Sequence, residues 1–98
     1  MSYFLIELAL PLPLPAELIA IIPEQRAKID ELMHEEKLLS YSLASDRSKV
    51  WAVVSAKDLF EAMGLLADLP IMRFTRPVVT ELAFYNAPRF TFPAISLN

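Results

Sequence analysis

The stretch Lys37–Ala56 reads KLLSYSLA, then SDRS, then KVWAVVSA. In its first and last eight residues apolar side chains recur with period two, the spacing of a strand. The four polar residues between them, Ser45–Ser48, are typical of a tight turn. The stretch therefore predicts a hairpin of two strands, Lys37–Ala44 and Lys49–Ala56.

The segment before the hairpin predicts a strand and then a helix. Tyr3–Leu10 reads YFLIELAL and is followed by prolines at 11, 13 and 15, which fix φ and lack a donor. From residue 15 to 36 apolar side chains recur at helical spacing, and these are Leu18, Ile22, Ile29, Leu32 and Met33. Pro23 either kinks this helix or starts a new one after a short turn. We expect one kinked helix over residues 15–36.

The segment after the hairpin repeats the pattern. Lys57-Asp58 opens a second helix that ends at Pro70, with Ser55 or Asp58 as its N-cap. Its expected buried stripe is Leu59, Met63, Leu66 and Leu69. Val78–Tyr85 reads VVTELAFY and predicts a fourth strand. The order βαββαβ predicts a ferredoxin-like α+β fold, in which two helices cover one face of a four-stranded antiparallel sheet.

Strand alternation assigns each side chain to one face of that sheet. The face expected beneath the helices is almost wholly apolar: Phe4, Ile6, Leu8, Leu39, Tyr41, Leu43, Val50, Ala52, Val54, Val78, Leu82 and Phe84. The second face is mixed: Tyr3, Leu5, Glu7, Ala9, Leu38, Ser40, Ser42, Trp51, Val53, Ser55, Val79, Glu81, Ala83 and Tyr85. Its apolar part exceeds the roughly few hundred Å² that a soluble monomer exposes. We expect a homodimer that joins two copies through this uncovered face.

Composition narrows the class of protein. The 98 residues fit a single domain, with a core over 3–86 and an extended apolar tail over 87–98 that packs on its own domain or on a neighbouring protomer. A net charge of −3 without a basic run gives no reason to expect nucleic acid. The chain has no Cys, no membrane-length apolar stretch and no basic leader, so we expect a cytoplasmic protein away from membranes.

Two stretches resemble a known family. Glu24–Val54, EQRAKIDELMHEEKLLSYSLASDRSKVWAVV, and Leu65–Phe74, LLADLPIMRF, resemble the muconolactone isomerase-like group of dimeric α+β barrel proteins. The match extends over most of residues 3–86. This resemblance implies a ferredoxin-like protomer, a sheet-to-sheet dimer, often a higher assembly of dimers, and a pocket between the sheet and nearby loops.

The resemblance also implies what an isomerase site would contain. Family isomerases carry basic and aromatic side chains on the first three strands around the lactone carboxylate, where this chain has Leu5, Ser40 and Leu43. Glu36 stands where a glycine commonly ends the first helix.

Glu7 and Glu81 are the candidate catalytic residues. Both fall on the second face, and strands one and four are neighbours in this fold, so we expect the two carboxylates to lie close together. A carboxylate in an apolar interior has a raised pKa and can carry the proton that lactone isomerisation moves. Alternatively, each is solvated or paired with Arg73, Arg76 or Lys49.

Five further residues share that face and are candidate ligand-binding groups, namely Tyr3, Ser40, Ser42, Trp51 and Tyr85. They offer hydrogen bonds and an aromatic wall to a small molecule, or they are dimer-interface residues. The single His, His34, lacks partners for a zinc site, and we expect neither a metal nor a cofactor. Arg47 either is solvated at the hairpin tip or contacts an anionic ligand or a partner protomer. Arg26 is expected in surface ion pairs rather than in a substrate clamp.

Two functions stay open at this point. The first is a small isomerase or related enzyme acting on a cyclic or aromatic-derived acid, with Glu7 or Glu81 as proton carrier. The second is a non-catalytic ligand-binding or assembly module that keeps the barrel, and the missing basic residues favour it.

Overall fold

The fold is ferredoxin-like α+β, as predicted. A computed structural model describes residues 1–88. Its elements are β1 (Ser2–Ala9), α1 (Ala16–Ala20), α2 (Ile22–His34), β2 (Leu38–Leu43), β3 (Lys49–Ala56), α3 (Leu59–Ala67), a 3-10 helix (Pro70–Arg73) and β4 (Pro77–Leu82). The strands form one antiparallel sheet in the order β2-β3-β1-β4. Residues 89–98, and with them most of the predicted tail, lie outside the described residues.

The core lies between the sheet and α2 and α3. On the central strands, the side chains that point to the helices are buried: Phe4, Ile6 and Leu8 from β1, and Val50, Ala52, Val54 and Ala56 from β3. They pack against Ile29 and Leu32 of α2 and Ala62 and Leu66 of α3. Each large apolar side chain buried in this way stabilises the fold by about 1.5–3 kcal/mol, which holds the helices on one side of the sheet.

Pro23 divides the first helical region. The prediction of one kinked helix is wrong, because α1 ends at Ala20 and α2 begins at Ile22. Pro23 lies in the first turn of α2, where the missing N–H would have had no partner within the helix. The proline therefore starts a helix here, which is the alternative that the sequence left open.

The end of α2 closes without glycine. Glu36 has a φ of 59°, in the left-handed region. Its N–H donates to the Met33 carbonyl at 3.0 Å, and the Lys37 N–H donates to the Leu32 carbonyl at 2.9 Å. These two bonds make a Schellman motif, which usually places glycine at this position. The chain thus keeps the cap geometry with a residue other than glycine in a strained backbone conformation.

Asp58 caps α3, as one of the two predicted alternatives. Its Oδ1 accepts from the Glu61 N–H at 2.8 Å, and Glu61 Oε1 accepts from the Lys57 N–H at 2.8 Å. The expected buried stripe is partly wrong, because Leu59 and Met63 are exposed. Ala62 and Leu66 are the side chains that α3 buries against the sheet.

A β-bulge in β2 reverses one predicted assignment. Leu38 lies opposite Val54 and Ser40 lies opposite Val53, so Leu39 is an extra residue between two regular pairs. Leu38 is therefore buried on the helix side, where Leu39 was expected. Simple alternation across the whole strand gave the wrong result because it allows no inserted residue.

Strand β4 has the opposite orientation from the one predicted. Val79 lies opposite Ile6 and Glu81 lies opposite Phe4, so both face the helix side. Val78 and Leu82 face the other side. The pattern VVTEL carries apolar residues at both parities, and the hydrogen-bond register decides which of them turn inward.

The sheet side away from the helices is called the open face below. It consists of Tyr3, Leu5, Glu7, Ser40, Ser42, Lys49, Trp51, Val53, Ser55, Val78, Thr80 and Leu82. Val53 is buried, whereas Val78 is 60% exposed and Trp51 38%. Over residues 1–88, no helix has the length and apolar character needed to cross a membrane.

Candidate functional site

Four of the predicted site residues lie together on the open face. Glu7 and Ser42 flank Trp51 in one row across β1, β3 and β2, and Ser40 lies in the adjacent row. Glu7 Oε1 lies 4.0 Å from the Lys49 Nζ, and that Nζ lies 5.9 Å from the centroid of the Trp51 ring. Glu7 is thus placed in an ion pair, at a side chain that is one-third exposed.

The other three predicted residues meet at the far end of the sheet. The rings of Tyr3 and Tyr85 lie 5.8 Å apart between centroids, tilted by 41°. With Glu81 and Phe84 they line an open depression of about 620 Å³ at the sheet edge. Along β1, Tyr3 lies four residues from Glu7, roughly 13 Å at strand spacing. The seven predicted residues therefore form two groups.

The expected proximity of Glu7 and Glu81 is wrong. Glu7 lies opposite Val78 on the open face, whereas Glu81 lies opposite Phe4 and points to the helix side. Residues directly opposite in an antiparallel pair share a face, so the two carboxylates point away from each other across the sheet. The reversed orientation of β4 causes this difference. A shared proton between them is excluded within one protomer, and the role of each carboxylate by itself stays a prediction.

A different site lies on the other side of the sheet. A cavity of about 590 Å³ lies between α1 and α2 and the ends of β2 and β3. It is called the helix-sheet cavity below. Its apolar walls come from the segment after β1, both helices, both strands and the 3-10 helix: Leu10, Leu14, Leu18, Ile21, Ile22, Ile29, Leu43, Val50 and Ile71. Ligand pockets in proteins have about this size and this mostly apolar character.

Gln25 and Tyr41 are the uncharged polar side chains in that cavity. Gln25 is the buried polar side chain of residues 1–88, with 5% exposure. The Ile71 N–H donates to Gln25 Oε1 at 3.0 Å, and Gln25 Nε2 donates to the Tyr41 hydroxyl oxygen at 3.3 Å. Both ends of the amide are therefore satisfied, as burial of a polar group requires.

Three charged residues complete the lining: Arg26, Asp30 and Arg47. All three are exposed, so their charged groups lie where the cavity meets solvent. Arg47 adopts a left-handed φ of 65°, and its guanidinium donates to the Ser45 carbonyl at 3.1 Å. The expectation of surface ion pairs for Arg26 is wrong, because across residues 1–88 Arg26 has no carboxylate within ion-pairing distance. Two positive charges against one negative charge favour an anion at this opening.

The sequence held one signal for this cavity. Gln25 falls at helical spacing into the predicted apolar stripe, which consists of Leu18, Ile22, Ile29, Leu32 and Met33. A polar residue on a buried helix face needs a partner, which points to a polar feature inside the core. Tyr41 was expected beneath the helices, and it packs against the core there.

Metal binding has no support in the part of the chain that the structure describes. No group of three His, Cys, Asp or Glu side chains in residues 1–88 is placed to hold an ion. His34 is exposed in the last turn of α2.

Comparisons with known proteins add little to this description. The sequence matches no family profile and no curated protein. Among solved structures, the fold is similar to that of a protein from Deinococcus radiodurans provisionally described as an antibiotic biosynthesis monooxygenase. The two are 16% identical with a TM-score of 0.49, and the match covers 94% of this chain and 100% of that one. The strand order remains the basis on which this chain is assigned to the ferredoxin-like fold.

Proposed function

We propose that this protein binds a small organic acid with a cyclic or aromatic body in the helix-sheet cavity. The observation that carries this proposal is the combination of apolar walls, the hydrogen-bonded pair of Gln25 and Tyr41, and two arginines at the opening. The volume of about 590 Å³ lies within the range of roughly 300–1,000 Å³ that small-molecule sites occupy.

Each part of such a ligand has a matching part of the cavity. An apolar ring that lies against Leu14, Ile22 and Leu43, which line the cavity and are not buried, leaves water. This transfer is worth about 25 cal/mol for each Å² of apolar surface buried. A carboxylate at the opening meets the guanidinium groups of Arg26 and Arg47, and hydrogen bonds between two charged groups are about twice as strong as neutral ones.

The geometry supports binding better than isomerisation. Proton transfer next to a carbonyl needs a base within hydrogen-bonding reach of the reacting carbon's proton. Glu7 and Glu81 do not line the helix-sheet cavity, and Asp30, the carboxylate that does, is exposed. We therefore favour the ligand-binding alternative, and membership of the muconolactone isomerase-like group stays a prediction.

Of the two candidate proton carriers for an isomerase, Glu7 is the one on the open face. It lies beside Trp51 and Ser42 on the open face, and we propose that a second copy of the chain covers this face. Such a dimer would enclose Glu7 between two sheets, where its ion pair with Lys49 would lose solvent. Turnover of an identified lactone that survives Glu7→Gln unchanged would remove this candidate.

Calorimetric titration with 2-naphthoate tests the binding proposal. We expect one molecule to bind per protomer, and the double variant Arg26→Gln/Arg47→Gln to bind it at least about tenfold more weakly, because two charge-assisted contacts are lost. Arg76→Gln is the matched control, since Arg76 is exposed and does not line the cavity. Equal affinity in the double variant and the control, or no binding by the unaltered protein, would contradict the proposal.

A further inference from the structure

We infer that the Tyr41 hydroxyl donates a hydrogen bond to a neutral oxygen of the ligand, so that the helix-sheet cavity selects oxo acids. This inference rests on the proposed function and narrows its ligand class. It follows from the direction of the hydrogen bonds around Gln25.

The Gln25 amide has a fixed orientation. The Ile71 N–H can only donate, so the amide atom 3.0 Å from it is the oxygen, Oε1. The amide nitrogen, Nε2, is then the atom that faces Tyr41, at 3.3 Å. A flipped amide would put two N–H groups against each other at Ile71 and leave the buried Ile71 N–H without an acceptor. Because Gln25 is buried, water does not relax this constraint.

The fixed amide determines what Tyr41 can do. The Gln25 Nε2 has hydrogens but no lone pair to accept with, so the Tyr41 oxygen is the acceptor in this contact. The proton of Tyr41 must therefore point elsewhere. Among the side-chain hydrogen bonds of residues 1–88, the Tyr41 hydroxyl donates none. Since Tyr41 lines the helix-sheet cavity, this proton is a donor available to a molecule inside it.

The surroundings indicate which acceptor fits. Tyr41 is set among apolar walls that include Leu43, Val50 and Ile71. A second ionised group placed there would lose its hydration without an opposite charge, whereas a carbonyl needs a single hydrogen bond. The arginines at the opening already account for the carboxylate. The ligand class is therefore an acid whose apolar body carries a ketone or similar carbonyl in addition to the carboxylate.

Two acids of nearly equal size test this inference, 6-acetyl-2-naphthoate and 6-ethyl-2-naphthoate. They differ by one carbonyl oxygen in place of two hydrogens, so the change in their affinity ratio on Tyr41→Phe isolates the hydrogen bond. We expect the unaltered protein to bind the acetyl compound about two- to tenfold more tightly, the range of one net hydrogen bond. Tyr41→Phe should remove that preference and leave the affinity for the ethyl compound unchanged.

Gln25 acts as a positioning residue, and its variant gives an intermediate result. Gln25→Leu keeps the Tyr41 hydroxyl but frees its rotation, so the acetyl preference should fall between those of the unaltered protein and Tyr41→Phe. Thermal unfolding of both variants separates this effect from loss of structure, because a partly unfolded protein would lose affinity for both acids alike.

The outcomes distinguish this inference from the proposal beneath it. Equal binding of both acids to the unaltered protein, or equal weakening of both by Tyr41→Phe, would overturn the donor role and leave the binding function standing. Binding of neither acid would overturn the binding function together with the inference.

Discussion

The two sides of the sheet use the same strands for different purposes. On β1, Phe4 and Leu8 point to the helices and are each 1% exposed, while Leu5 and Glu7 point to the open face and are half-buried. The helix side is closed by the chain's own helices and holds the cavity. The open face presents apolar side chains that those helices do not cover. The comparison teaches that the helix side carries the core and the proposed ligand site, while the open face is left for the proposed association of two copies.

The largest effect should come from the closed side. Phe4→Ala removes a fully buried ring and should lower the free energy of unfolding by about 3–5 kcal/mol. Leu5→Ala, one residue along the same strand, should cost about 1 kcal/mol in the protomer because its site is half-exposed. Urea denaturation measures both. Equal losses of unfolding free energy in the two variants would contradict the distinction between the two sides. A loss for Leu5→Ala that grows with protein concentration would support it.

The open face should respond to charge. Val78→Lys puts a lysine on each copy at a site that is 60% exposed in the protomer, so the protomer should stay folded. In the proposed dimer each added lysine would be buried beside Glu7, a carboxylate that already pairs with Lys49. Burying this excess charge costs roughly 3–5 kcal/mol, and light scattering should show a dimer become a monomer.

Phe60→Lys is the control for that experiment. Phe60 lies on α3, away from the open face, and is 87% exposed. It should leave the dimer intact. If the unaltered protein is already a monomer at micromolar concentration, or if both variants dissociate it equally, the open face is not the interface.

Smaller effects are expected in the helices themselves. Glu36→Gly should stabilise the protein by about 0.5–1 kcal/mol, because it relieves a left-handed φ of 59°. Gly64→Ala should stabilise it by up to about 1 kcal/mol, because a Cβ at this helical position meets nothing within 4 Å. Thermal unfolding checks both. Neither residue lines the cavity or the open face, so ligand affinity and dimerisation should not change, and destabilisation by Glu36→Gly would contradict the strain described at α2.

The smallest effect concerns the hairpin tip, which belongs to neither side. The hydroxyl and the backbone N–H of Ser48 bond the Asp46 carboxylate and hold its pKa below the ordinary 3.8. The pKa of Asp46 is lower in the folded protein than in the unfolded chain. The contact therefore stabilises the turn at pH values above the ordinary pKa, and this stabilisation is lost as the pH falls through the folded pKa. An NMR titration should show the Asp46 pKa rise towards 3.8 in Ser48→Ala. An unchanged pKa would show that the backbone N–H alone produces the shift.

The sequence predicted the helix side of the central strands correctly, because apolar side chains alternate regularly there. The element order and the burial of β1 and β3 follow from regular alternation, so the fold class and the central core were predictable. Strand β4 was not, because Val78 and Val79 suit either face equally and only pairing with β1 chooses between them. The proposed pairing of Glu7 and Glu81 depended on that choice.

The helix-sheet cavity was not predicted, for a different reason. Its lining comes from segments as distant as Leu14, Tyr41 and Ile71, and a gap between packed elements leaves no local pattern in any of them. Gln25 was the one residue whose position in an apolar stripe marked the place. Arg26 and Arg47 look like ordinary surface residues until α2 and the hairpin tip are placed in three dimensions.

The bulge at Leu39 bears on how relatives of this chain should be compared. A related hairpin that lacks this additional residue is out of register with β2 in an alignment without a gap. Such an alignment would match Ser40 and Ser42 to positions that face the core, and Leu43 to a position that faces away from it. Such alignments therefore need a gap between Leu38 and Ser40. An insertion or deletion of one residue at this point would therefore change which side chains of β2 face the core and which face away from it.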